Sequence, residues 1–139
     1  MQNHQITTGI EDDVRTKKNQ QLHDQRQHLV GEVTALLSHN ASEGLRWTGS
    51  RSDLLEALHI AYLYGRLIDE EGQLLTFRDI VERSCIILHL PILRNPWATV
   101  VRAKGRKGLR QTTFFERYCH QRHREPRREP IMSLVLSDK

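Results

Sequence analysis

The sequence predicts a mainly α-helical protein with an N-terminal helical arm and at most a short two-stranded sheet. Three observations predict it. Apolar residues recur at three-and-four spacing in five successive segments, the period of an amphipathic helix rather than a strand. Ser50-x-x-Asp53, Thr76-x-x-Asp79 and Thr113-x-x-Glu116 each have the form of a capping box ahead of such a segment. Stretches that suit strands are short and few: Leu45 to Trp47, LLTF at 74–77 and MSLVL at 132–136.

Residues 1–9 read as disordered. From Glu11 to Ser38 the pattern is helical, with Leu22, Leu29, Val33, Leu36 and Leu37 on one stripe. Gly31 weakens this helix, and the polar run TKKNQQLHDQRQH makes its first half an arm that lies on the surface or projects from it. NASEG at 40–44 is a stop and a loop. The next helix, 51–64, carries Leu54, Leu55, Leu58, Ala61, Tyr62 and Leu63 on a wide apolar face and stops at Gly65. DEEG at 69–72 is a turn. Phe77, Ile80, Val81, Cys85, Ile87, Leu88 and Leu90 supply the core positions of a helix over 77–89 that Pro91 ends. Asn95 as N-cap and Pro96 at the first helical position open a short helix, 95–104. Gly105 and Gly108 end it, and a last helix opens at Thr113. The tail REPRREPIMSLVLSDK is expected to be loose, with MSLVL either a stray strand or a piece packed on the core. The division is an arm at 1–40, a helical body at 41–124 and a basic tail at 125–139.

The net charge of +4 conceals a polarity. Residues 1–93 carry 9 Lys/Arg against 13 Asp/Glu, or −4; residues 94–139 carry 12 against 4, or +8. A basic third of this kind predicts attraction to a polyanion, because neutralising phosphates releases counterions. A solvated tail is the plain alternative. No apolar run approaches the ~18 residues of a membrane-spanning helix. The first residues lack the basic-then-apolar pattern of a secretory signal. Cys85 and Cys119 do not make a disulfide framework, so a reducing cytoplasm is the expected home.

Helices 77–89 and 95–104, about five residues apart, have the form of a helix-turn-helix, with 51–64 completing a three-helix core. In that motif the second helix lies in the major groove of double-stranded DNA. Spacing turns Trp97 and Val100 inward, with Val101 or Ala103. That leaves Arg94, Asn95, Ala98, Thr99 and Arg102 outward as candidate base readers. Arg suits guanine, Asn suits adenine, and Ala and Thr methyls suit the thymine methyl. Lys104 at the end of that helix, with Arg106, Lys107 and Arg110 in a loop GRKGLR at 105–110 where a wing would sit, would grip phosphates.

Other chemistry is weaker. Cys85/His89 and Cys119/His123 are each four apart and together make a possible Cys2His2 metal set. Their spacing is not that of a zinc knuckle. Cys85 reads better as a small buried residue and His123 as part of the basic tail. Asp69, Glu70 and Glu71 read as a surface turn rather than an acid–base pair. The sequence holds no phosphate-cradling glycine loop, nucleophile elbow or metalloprotease motif, so it is not read as an enzyme and no cofactor is expected. Trp47, Tyr62, Tyr64 and Phe77 read as core rather than a base-stacking platform.

The block LRWTGSRSDLLEALHIAYLYG, followed by Trp97, RKGLR at 106–110 and the pair Phe114-Phe115, resembles the C-terminal half of the RteC family. These are regulators encoded on bacterial conjugative transposons. The likeness covers about half the chain, from Leu45 to Cys119, and WTGS is its most specific piece. It implies a winged-helix-like domain that binds near a promoter on a mobile genetic element and regulates transcription there. Ala98, Thr99 and Arg102 match the family's reading helix in place rather than in type. Residues 1–40 offer one helix where the family has an N-terminal domain. The expectation is a cytoplasmic DNA-binding regulator, with helix 11–38 as a possible homodimer contact. The rival is a non-enzymatic helical adaptor whose basic tail docks an acidic partner.

Overall fold

Helix α1 runs from Gln2 to Leu37, about 54 Å at 1.5 Å per residue. The computed structural model describes the backbone of residues 2–110 and 112–137, and the side chains of residues 14–102, 105 and 112–137. The chain is mainly helical, with a short two-stranded antiparallel sheet. After α1 come β1 (Leu45–Trp47), α2 (Arg51–Gly65), α3 (Phe77–Leu88), α4 (Pro96–Arg110), α5 (Phe114–Arg124) and β2 (Val135–Ser137). The expectation of disorder over residues 1–9 does not hold for 2–9, which continue α1. Gly31 lies on the open side of α1 with nothing within 4 Å of a Cβ there, so it weakens the helix without breaking it.

The stripe read on α1 does pack. Leu29, Val33 and Leu36 are fully buried and join Leu54, Leu58 and Ala61 of α2 and Ile80 and Val81 of α3 in one core. Residues 14–21 of the same helix are exposed. The contact between α1 and α2 is close enough to require a glycine. A Cβ at Gly65 would lie 2.8 Å from Val30 Cγ1. Gly65→Ala should therefore lower stability by about 1–2 kcal/mol, because overpacking outweighs the ~1 kcal/mol gained in helix propensity. The denaturation midpoint in urea checks this; an unchanged or raised midpoint would contradict it.

The WTGS block closes the sheet and launches α2. The Trp47 indole N–H donates to Ser50 O at 2.8 Å, and the Thr48 N–H and hydroxyl both donate to Leu134 O at 2.8 Å. A Cβ on Gly49 would meet the Trp47 ring at 3.0 Å and Leu134 at 3.2 Å. Ser50 then caps α2 by accepting the Asp53 N–H. Of the expected capping boxes, Thr76–Asp79 closes in both directions, and its acceptor bonds hold the Asp79 carboxyl below its ordinary range. Asp53 makes an ion pair with Arg117 at 2.6 Å.

Between α2 and α3 the DEEG turn is present, with Gly72 at φ 81 and a bridge from Ile68 to Leu74. The tail is a correction. Expected to be loose as a whole, it folds back so that Ile131 is fully buried, and the alternative reading of MSLVL as a strand holds in its second half: β2 pairs with β1, Val135 opposite Trp47 and Ser137 opposite Leu45. Within MSLVL, Met132 and Val135 pack on the core, and the charged run before them disguises this.

A candidate nucleic-acid interface on helix α4

Helix α4 starts as its sequence dictates. The Asn95 side-chain oxygen accepts the Ala98 N–H at 3.1 Å, and Pro96 is buried at the first helical position. Two side chains then pin the helix. Val100 is 1% exposed. Trp97 sets its edge against three rings: Phe77 of α3 at 4.9 Å, and His59 and Tyr62 of α2 at 5.0 and 5.7 Å between centroids. Trp97 nevertheless keeps 44% of its surface in solvent. The helix is thus held at one end by an aromatic clasp.

Two expectations about α4 are corrected. Val101, read as a possible inward residue, is 66% exposed. Gly105 and Gly108 do not end the helix, which continues to Arg110, so there is no loop at 105–110 to act as a wing. Glycine costs about 1 kcal/mol in a helix but keeps its N–H, and the Lys, Arg and Leu around it favour helix. The side chains of Ala103, Lys104, Arg106, Lys107 and Arg110 lie outside the described residues.

The predicted readers fall on the outer surface. Arg94, Asn95 and Arg102 are exposed, and Ala98 and Thr99 are half-buried. Their local bonds differ. Arg102 Nε donates to Ala98 O at 3.4 Å, which lays the guanidinium along the helix. The Thr99 hydroxyl donates to Asn95 O at 3.2 Å, leaving its methyl as the outward chemistry. The Asn95 oxygen is already used in the cap, so bidentate recognition of adenine by that residue competes with the start of its own helix.

Between Arg83 and Glu116 the chain has no Asp or Glu and six Lys or Arg. Four arginines elsewhere do meet a carboxylate: Arg78 meets Glu82, Arg83 meets Glu70, Arg117 meets Asp53 and Arg128 meets Glu125. Among the described residues, no carboxylate lies within 4.0 Å of Arg94 or Arg102. Among the described residues, the charges of Arg94 and Arg102 are therefore not neutralised within the chain.

Buried acids position α5 and the tail, and the spacing of apolar residues did not point to them. Glu56 on α2, 2% exposed, accepts the Phe114 N–H at 2.8 Å at the start of α5. Glu32 on α1, 3% exposed, accepts the Tyr118 hydroxyl at 2.5 Å and the Ile131 and Met132 N–H groups at 3.0 Å. Burial pushes the Glu32 carboxyl above its ordinary range despite those three donors, and burial with the Glu32 bond pushes the Tyr118 phenol up. One signal could have found Glu32: it stands among Leu29, Val33 and Leu36 on the apolar face.

The other candidates separate. Cys85 is buried in α3, and His89 ends that helix with Nε2 on Ala41 O at 2.9 Å. Cys119 lies on α5, and among the described residues no three His, Cys, Asp or Glu side chains gather as a metal site. Asp69, Glu70 and Glu71 sit in the exposed turn, where Asp69 accepts two backbone N–H groups and Glu70 meets Arg83. The apolar stripe considered for dimer contact is used within the chain. Among the described residues no helix is long and apolar enough to cross a membrane. Comparison with protein-family models, with curated proteins and with solved structures found no match to this chain.

Proposed function

We propose that this chain binds double-stranded DNA through the outer face of α4, in the manner of a helix-turn-helix or winged-helix-like regulator. One observation carries the reading. Arg94, in the turn ahead of α4, and Arg102 on the helix have no carboxylate partner among the described residues, with Ala98 and Thr99 between them, and the helix is braced by α2 and α3 through Trp97 and Val100. Arg102 reads a base edge, the Ala98 and Thr99 methyls contact thymine methyls, and Arg94 serves base or phosphate. Lys104, Arg106, Lys107 and Arg110 continue the same helix and supply the phosphate grip in place of a wing. The likeness of WTGS and its following helix to the RteC family extends the reading to a transcriptional regulator of a mobile element.

The rival adaptor reading has one observation in its favour: Ile92 and Val101 leave apolar surface beside and on α4, 52% and 66% exposed. A pair of substitutions separates the two. Arg102→Ala should relax base preference at one position, a loss of about 1–3 kcal/mol on the preferred sequence. Lys107→Ala should weaken binding to all sequences alike and lower the salt slope by about one. Binding isotherms on preferred and scrambled duplexes read both. Two variants that bind every duplex like the parent would remove α4 as the interface.

A further inference from the structure

We propose that the cleft between α1 and α5 is a phosphate-binding site, separate from the α4 face and independent of the DNA-reading proposal. The cleft holds about 370 Å³ and is lined by Lys18, Gln21, Leu22 and Gln25 of α1 and by Cys119, Arg122, His123 and Pro126. Three of these side chains are cationic or become so on protonation, two are amides, and none is a carboxylate. Leu22, Cys119 and Pro126 supply the apolar part of the lining.

Arg122 carries the inference. It is partly buried, and its Nε donates to Gln25 Oε1 at 2.7 Å. Its Nη1 donates to Arg128 O at 2.7 Å and meets His28 Nε2 at 3.0 Å. All three partners are neutral acceptors. Arg78, Arg83, Arg117 and Arg128 each face a carboxylate, but among the described residues none lies within 4.0 Å of Arg122. A guanidinium fixed in place by neutral groups, beside an open cleft and without its counter-ion, is pre-organised for an anion. Nε and Nη1 are thus committed to holding the side chain in place, and Nη2 keeps its two N–H donors for an anion, a charge-assisted contact to one phosphate oxygen or two. The uncompensated charge also reaches its neighbours: burial, then Arg122, hold the His28 imidazole below its ordinary range against the opposing pull of Glu129. A compact phosphate group would take two donors from Arg122 and His123 and one from Lys18. That phosphate can come from a small phosphorylated molecule or from a DNA backbone laid across α1 and α5.

Cys119 is a built-in reporter. It lines the cleft and is half-buried, whereas Cys85 is 5% exposed. The rate of its reaction with a disulfide reagent is measured on the intact protein with pyrophosphate, with a short duplex, and with sodium chloride at matched ionic strength. At twice its Kd, a ligand in the cleft slows labelling about threefold, since only the empty site reacts. Arg122→Gln should abolish that protection, and so should Lys18→Gln, whose exposed side chain can be changed without disturbing the core. Protection by pyrophosphate assigns a small-molecule source, and protection by duplex alone assigns the DNA backbone. Labelling that neither ligand slows beyond the salt control would overturn the site. So would protection that persists in both variants.

Discussion

Glu32→Ala is expected to lower stability by about 3–5 kcal/mol, a large share of the 5–15 kcal/mol or so that typically holds a domain folded. It strips the acceptor from two backbone N–H groups and the Tyr118 hydroxyl, of which the Ile131 N–H and the Tyr118 hydroxyl are buried and the Met132 N–H partly so. The tail and α5 lose their common tie to α1. Glu32→Gln should be far milder, because the amide oxygen can take the two N–H groups and the Tyr118 hydroxyl can turn to accept from the amide nitrogen. The parent and Glu32→Gln also separate in pH. The folded carboxyl is raised, so its contribution is fully present below the ordinary carboxylate range and is lost as pH rises through the raised folded value. Stability of the parent relative to Glu32→Gln should therefore decline from about pH 4 upward. Denaturant titrations at several pH values give both results. A flat difference would mean that the carboxyl is not perturbed.

Trp97→Ala is expected to cost about 2 kcal/mol of stability, roughly half the loss for a fully buried ring, since nearly half of this one is in solvent. The larger consequence is for the interface. Without its clasp on His59, Tyr62 and Phe77, α4 keeps Val100 as its inward anchor, and the positions of Ala98, Thr99 and Arg102 are no longer fixed. DNA affinity should fall tenfold or more, about 1.4 kcal/mol, on all sequences. Trp97→Phe should retain most of it, because a smaller ring still reaches Phe77. Parent-like affinity in Trp97→Ala, in protein shown to be folded, would mean that α4 is not the reading element.

The helices are legible in the sequence because each has a local cause. Ser50, Thr76 and Thr113 accept the N–H three residues on, as their spacing predicts, and the three-and-four apolar pattern locates the faces that pack. The run after Trp97 misleads because glycine has two uses. At Gly72 it supplies a positive φ and turns the chain; at Gly105 it sits inside a helix. Nothing local distinguishes them. The tail misleads because the order of MSLVL comes from contacts about a hundred residues away in sequence, between Glu32 and the amides of Ile131 and Met132. Within the candidate site, the outward placement of Arg94, Asn95 and Arg102 is legible from helical period alone. The commitment of the Asn95 oxygen to the cap comes from the same N-cap role that locates the helix. The position of Glu32 on an apolar face is legible, but its role is not, since such a carboxylate acquires its meaning only from the donors that fold against it.

Whether α4 reads DNA is decided by fluorescence anisotropy of the purified protein on a pool of random duplexes across a salt series, with sequencing of the retained fraction. Salt-sensitive binding and enrichment of a common sequence are the expected result. Absence of binding at moderate salt, or binding that enriches no sequence, would contradict a reading role for α4.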